Sequence, residues 1–123
     1  VEGIVMSDKN ATKGMKFDNN KLDPCLLLDG MPYSIEEIDA VLKYGADKYD
    51  KHNWKKVEGA VERYRSAAFR HLMAISKGET YDKESGMRHL THAITSLLFV
   101  AELTKEDINL NLGKNKCTVQ KQN

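Results

Sequence analysis

The sequence predicts an all-α domain: a small helical bundle built on an antiparallel helical hairpin, with an irregular N-terminal arm, assembling with copies of itself. Three observations carry this. Two segments, residues 59–76 and about 84–103, repeat apolar residues at helical spacing. The turn between them, 77–83, is short enough to return the chain antiparallel. Nowhere do alternating apolar and polar residues suggest a pair of strands.

The chain has 123 residues, one domain's worth and enough for one modest core. It divides into a polar arm (1–21), a helical core (22–103) and a polar tail (104–123). The arm is rich in Lys, Asp and Asn. In KFDNNKLDPCLLLDGMP, Pro24, Gly30 and Pro32 rule out a long helix, and CLLL (25–28) predicts a short buried strip or turn. A helix follows, with Ser34 as N-cap and Glu37 completing a capping box. Ile38, Val41 and Leu42 fall at helical spacing, and Gly45 and Tyr49 continue the stripe. Glycine is costly inside a helix, so Gly45 implies close backbone packing or a helix end. DKHNW (50–54) reads as a loop.

In the 59–76 helix, Val61, Tyr64, Ala68, Leu72 and Ile75 form the apolar stripe, and Gly78 is a natural stop. In the last helix Leu90, Ile94, Leu97, Leu98 and Ala101 form one stripe. Ala93, Val100 and Leu103 widen it, so this helix is expected to be central and contacted on more than one side. The tail, ending GKNKCTVQKQN, reads as frayed or partner-dependent.

Composition excludes several classes. Apolar residues make up 41%, charged residues 30%, and net charge is +1. There is no overall field to draw nucleic acid or an anionic membrane, and no apolar run long enough for a bilayer. The start, VEGIVMSDKN, lacks the basic flank and apolar core of a secretion signal. Cys25 and Cys117 show no CxxC spacing and read as free thiols in a reducing cytoplasm. A cytoplasmic protein is expected.

The chemistry concentrates in RHLMAISKGETYDKESGMRHLTHA (70–93), which holds His71, His89 and His92, three of the four histidines. His89 and His92 are one helical turn apart and project together, with Ser85 and Ser96 extending that face. Arg63 and Arg70 share a face beside His71. Glu79, Asp82 and Glu84 occupy the turn. Hairpin geometry can bring these groups to one level. Imidazole and guanidinium suit phosphate, imidazole with carboxylate suits a divalent metal, and carboxylates alone suit Mg²⁺. Spacing also allows a plainer account, with buried histidines satisfied by carbonyls and acids serving as turn and cap residues. A second cluster joins Lys48, Tyr49, His52, Asn53 and Trp54. There Trp54 either stacks a base or pins the loop to the core.

These segments together resemble a known family. KFDNNKLD, VLKYGADKYDKHNW, RYRSAAFRHLMA, GETYDKESGMRHLTHA and LLFVAEL follow in order over about residues 14–103. The pattern is similar to that of the phage-encoded dATP/dGTP diphosphohydrolases, related by fold to the MazG-like all-α nucleotide pyrophosphohydrolases. The resemblance implies hydrolysis of a purine (deoxy)nucleoside triphosphate to monophosphate and pyrophosphate, with Mg²⁺ or Mn²⁺, in a homodimer or tetramer with sites at helix and subunit junctions. Carried over by motif are Lys16, Asp18, Lys48, Tyr49, Asn53, Trp54, Arg70, His71, Glu79, Asp82, Glu84, His89 and His92. On this reading Glu79, Asp82, Glu84 and His89 hold the metal. Glu84, Asp82 and His71 act in catalysis. Lys16, Asp18, Lys21, Lys48, Tyr49, Asn53, Trp54, Arg70, His71, His89 and His92 bind the nucleotide. The chain departs from the pattern at Ser96, where Asn is frequent, and in lacking the paired ExxE and ExxD of MazG relatives. That thin carboxylate set keeps a second class open: a non-catalytic nucleotide-binding protein that sequesters a nucleotide-derived host immune signal.

Overall fold

The computed structural model describes residues 13–107. The expectations for residues 1–12 and 108–123, Cys117 among them, lie outside the described residues. Residues 13–22 fall outside the compact unit Asp23–Leu110. They have no regular structure except a turn closed by the Lys21 N–H on the Asp18 carbonyl (3.0 Å).

Within the compact unit, the helices are α1 (Cys25–Gly30), α2 (Pro32–Lys48), α3 (Ala60–Ser76) and α4 (His89–Leu103), with a 3₁₀ turn at Asn53–Lys55. α1 corrects the expectation of a buried strip at 25–28. It is a single helical turn and a half started by the Asp23 side chain, which accepts the Cys25 N–H (3.2 Å), and Leu26, Leu27 and Leu28 are exposed. α2 starts two residues before the expected cap. Pro32 takes its first position, where a missing N–H costs nothing. Ser34 therefore lies inside the helix, and Glu37 points to Arg88 instead of closing a capping box. α2 continues through Gly45, and no atom beyond its own helix backbone and chain neighbours lies within 4 Å of where a Cβ would sit. Gly45 marks neither a helix end nor a close packing point.

α3 begins after Gly59 and stops at Gly78, both in the left-handed region at φ +66° and +91°. α4 begins later than the sequence predicts, at His89 rather than about 84. Residues 79–88 form a tight hairpin instead, with a bridge between Tyr81 and Arg88. Local hydrogen bonding explains this. Asp82 Oδ1 takes the Glu84 N–H (2.7 Å) and Ser85 Oγ takes the Met87 N–H (3.2 Å), while Gly86 turns left-handed at φ +76°. Short polar side chains that capture backbone donors compete with helix.

α3 and α4 pack antiparallel. His71, near the end of α3, meets His89 and His92 at the start of α4. Tyr64, early in α3, meets Phe99, late in α4, edge to face at 4.9 Å. α2 crosses onto α4 through Glu37. The buried residues are small: Ala60, Ala68, Ala74, Ala93 and Val41, with His89, Thr91, Thr95 and Ser96. Thr95 satisfies its hydroxyl on the Thr91 carbonyl (2.8 Å). The predicted core stripe of α4 faces outward instead: Leu90, Ile94, Leu97 and Leu98 are 37–48% exposed. The physical reason is close approach, because the alanine, threonine and serine side of α4 lets neighbouring helices come nearer. Among the described residues, no helix is long and apolar enough to cross a membrane.

Candidate functional site

The 79–88 hairpin folds Glu79 and Asp82 back onto the first turn of α4, where His89 and His92 meet His71 of α3. His71 and His92 stack nearly parallel, with centroids 4.7 Å apart and an interplanar angle of 12°. His71 Nδ1 lies 2.9 Å from His89 Nδ1. Ser85 Oγ lies 2.6 Å from His92 Nε2, and Asp82 Oδ2 lies 3.8 Å from the same nitrogen. One donor atom from each of His71, Asp82 and His92 falls within 4.8 Å of the others. This set could hold a metal ion, since imidazole and carboxylate are both good ligands for divalent first-row metals.

Electrostatics keep the imidazoles available as ligands. Burial pushes His71 below its ordinary value, and the neighbouring His92 and His89 add to this against the pull of Asp82. Burial likewise lowers His92, partly offset by Asp82. Burial tends to raise Asp82, but the Glu84 N–H, His92, His71 and the Ser85 N–H outweigh it and hold the carboxyl below its ordinary range. Near neutral pH the cluster is therefore two uncharged rings around a carboxylate.

Glu84 takes another course. Its Oε2 accepts hydrogen bonds from the Lys48 ammonium and the Tyr44 hydroxyl, the latter at 3.0 Å. Lys48 and Tyr44 hold Glu84 below the usual carboxylate range, and Glu84 in turn raises Lys48. Glu84 and Lys48, expected in separate roles, are thus partners. The Tyr44 ring also stands edge-on to His92, with centroids 6.5 Å apart. Burial and Glu84 raise its hydroxyl pKa. Tyr44 was missed in the sequence, although its i, i+4 spacing to Lys48 on α2 was a signal that both face one neighbour.

Glu79 reaches toward the outer nitrogen of His89, with Oε1 3.7 Å from Nε2. Arg70 is exposed and adds positive potential at His71. Tyr49 is exposed beneath the Lys48 ammonium, 5.3 Å from the ring centroid. Trp54 is half-buried and stacks on Phe99 at 4.4 Å with planes 13° apart. With Ile38, Leu42, His52 and Leu98 it lines a cavity of about 260 Å³ that shares no residue with the histidine cluster. Asn53 is half-buried in the same turn. Lys16, Asp18 and Lys21 are exposed in the separate 13–22 segment.

The family described as dATP/dGTP diphosphohydrolase, N-terminal, matches residues 11–111. A dATP/dGTP diphosphohydrolase of Salmonella phage PMBT28 is 37% identical over 87 residues, which cover 71% of this chain and 28% of that protein. The chain thus spans under a third of the length of this relative. No solved structure matches.

Proposed function

The chain belongs to the dATP/dGTP diphosphohydrolase N-terminal family, and from that premise we propose that its histidine–aspartate cluster binds a divalent ion and hydrolyses a purine (deoxy)nucleoside triphosphate. The products are the monophosphate and pyrophosphate. The observation that carries this reading is the convergence of His71, Asp82 and His92 within 4.8 Å. Two neutral imidazoles and one carboxylate fit Mn²⁺ better than Mg²⁺, which prefers oxygen donors. When bound, such an ion supplies positive charge for developing phosphoryl charge and acidifies water.

The remaining steps fall to the chain's own residues. Arg70 offers an exposed guanidinium for phosphate oxygens, where two parallel hydrogen bonds can form. Lys48 can leave Glu84 for an incoming phosphate, and the freed Glu84 carboxylate then stands beside Asp82 as a proton acceptor. The Ser85 hydroxyl and Asp82 steady His92. The exposed aliphatic row on α4 supports assembly with further copies, because a single chain buries no large aliphatic side chain fully among its described residues. The protein is read as cytoplasmic.

One observation favours a second reading. The carboxylates of Glu84 and Glu37 are both engaged by cations, which leaves Asp82 as the carboxylate of the cluster. Binding without cleavage needs no base, so the same site would serve a nucleotide-sequestering protein directed at a nucleotide-derived host immune signal.

Incubation of the purified chain with dATP, dGTP, ATP and GTP decides between the two. Each is run with Mg²⁺, with Mn²⁺ and with EDTA, and the nucleotides are resolved by chromatography. Monophosphate and pyrophosphate appearing only with metal establish the hydrolase. A ligand that binds and returns intact after denaturation establishes the binding protein.

A further inference from the structure

Two nitrogens face each other across the hairpin. His71 Nδ1 and His89 Nδ1 are 2.9 Å apart. A neutral imidazole has one donor and one acceptor nitrogen, so one ring donates here and the other accepts. The far end of His89 decides which. His89 is 8% exposed, and its Nε2 is buried with no hydrogen-bond partner. The Glu79 carboxylate lies 3.7 Å from that nitrogen. A bare lone pair aimed at a carboxylate is repelled, whereas an N–H is attracted. His89 therefore carries its proton on Nε2 and accepts at Nδ1. His71 then donates through Nδ1, and its Nε2 is left bare.

We propose that Glu79 and His89 are positioning residues, a carboxylate-to-imidazole-to-imidazole relay that locks His71 with its Nε2 lone pair presented to the divalent ion. The proposal rests on the reading of His71, Asp82 and His92 as the ion-holding group. With Nδ1 occupied by His89, Nε2 is the nitrogen His71 has left for a ligand. A ligating histidine is ordinarily oriented by donating its other N–H to a carboxylate or carbonyl. Here a second imidazole fills that place, and Glu79 makes it a better acceptor by polarising its outer N–H. The Glu79 side chain is 47% exposed. It has room to close the remaining gap to hydrogen-bond distance, which the His89 N–H favours.

The test separates the relay from the ion. Long-range ¹H–¹⁵N spectra of the ¹⁵N-labelled, metal-free chain are recorded above the imidazole titration range. His71 is expected with its proton on Nδ1 and His89 with its proton on Nε2. In Glu79→Ala both rings should average between tautomers, and calorimetric Mn²⁺ affinity should fall roughly ten- to a hundred-fold. Glu79→Gln, whose amide oxygen still accepts, should restore the tautomers and part of the affinity. A wild-type His71 that carries its proton on Nε2 or averages overturns the relay, as does unchanged Mn²⁺ affinity in Glu79→Ala. If the tautomers stand as stated but the wild type takes up none of Mn²⁺, Co²⁺ or Zn²⁺, the ion-holding reading of the cluster fails instead.

Discussion

Arg88 grips Glu37 with two parallel hydrogen bonds, Nε to Oε1 at 2.9 Å and Nη2 to Oε2 at 3.1 Å, across 51 residues of chain. The Thr91 hydroxyl adds a third bond to the same carboxylate. Arg88 is the last residue of the hairpin and Thr91 lies in the first turn of α4, so this contact fixes α2 against the end of α4 that carries the site. The Arg88 bond, then the Thr91 bond, hold the Glu37 carboxyl below its ordinary value of 4.5. A depressed carboxylate stabilises the fold above its unfolded value, and that contribution disappears as pH falls through the folded value. Glu37→Gln should therefore melt below wild type at neutral pH. The difference should close on acidification, as thermal unfolding followed by circular dichroism against pH would show. A constant gap would mean that the carboxylate charge plays no part.

The histidine cluster makes its own pH prediction. His71 and His92 are depressed from an ordinary value of 6.5, each chiefly by burial. Below 6.5 the unfolded chain takes up protons that the folded one resists, so stability falls with pH from there down to the folded values. The metal-free chain should lose melting temperature steadily over that range. His71→Gln and His92→Gln should each flatten the slope. Equal slopes in all three proteins would show that the rings titrate as if exposed.

Two glycines should respond in opposite directions. Gly86 sits at φ +76° with open space around it, so Gly86→Ala adds only the left-handed penalty, about 1–2 kcal/mol. Because Gly86 closes the hairpin by donating to the Asp82 carbonyl (2.7 Å), the same change should also weaken divalent ion uptake. Gly45 lies in the last turn of α2 with nothing but its own helix backbone near, so Gly45→Ala should stabilise by up to about 0.5–1 kcal/mol. Urea titration of both variants checks the signs.

The hairpin, its antiparallel sense and the meeting of His71 with His89 and His92 could be read from sequence. Apolar periodicity and a short turn suffice for that. The start of α4 could not be read this way. ESGMR looks helical in composition, and only the side-chain bonds of Asp82 and Ser85 with the left-handed Gly86 exclude it. The Glu37 bond to Arg88 was hidden for a different reason. Its partners are far apart in the chain, and a local capping box explained the same glutamate. The pairing of Glu84 with Lys48 was hidden in the same way, since each seemed free to meet ligand. The choice of buried face on α4 also ran against hydropathy. Thr91, Thr95 and Ser96 go inside and the leucines stay out, a preference that no single helix pattern encodes.

That reversal on α4 carries the last prediction. Leu90, Ile94, Leu97 and Ala101 recur on one face of the helix, and the three larger side chains are each more than a third exposed. Their periodicity is the one expected of a buried seam. These side chains are already more than half covered in the single chain, so burying the rest of each against another copy is worth about 0.5–1.5 kcal/mol, a gain that every member of the row on both copies adds to a shared seam. The purified chain is expected to sediment as an oligomer. Ile94→Glu or Leu97→Glu should shift it to monomer, because each new carboxylate would have to enter an apolar seam unpaired. Surface controls such as Lys43→Glu on α2 should leave the mass unchanged. A wild-type chain that sediments as a monomer at every concentration tested would leave the row without a self-partner.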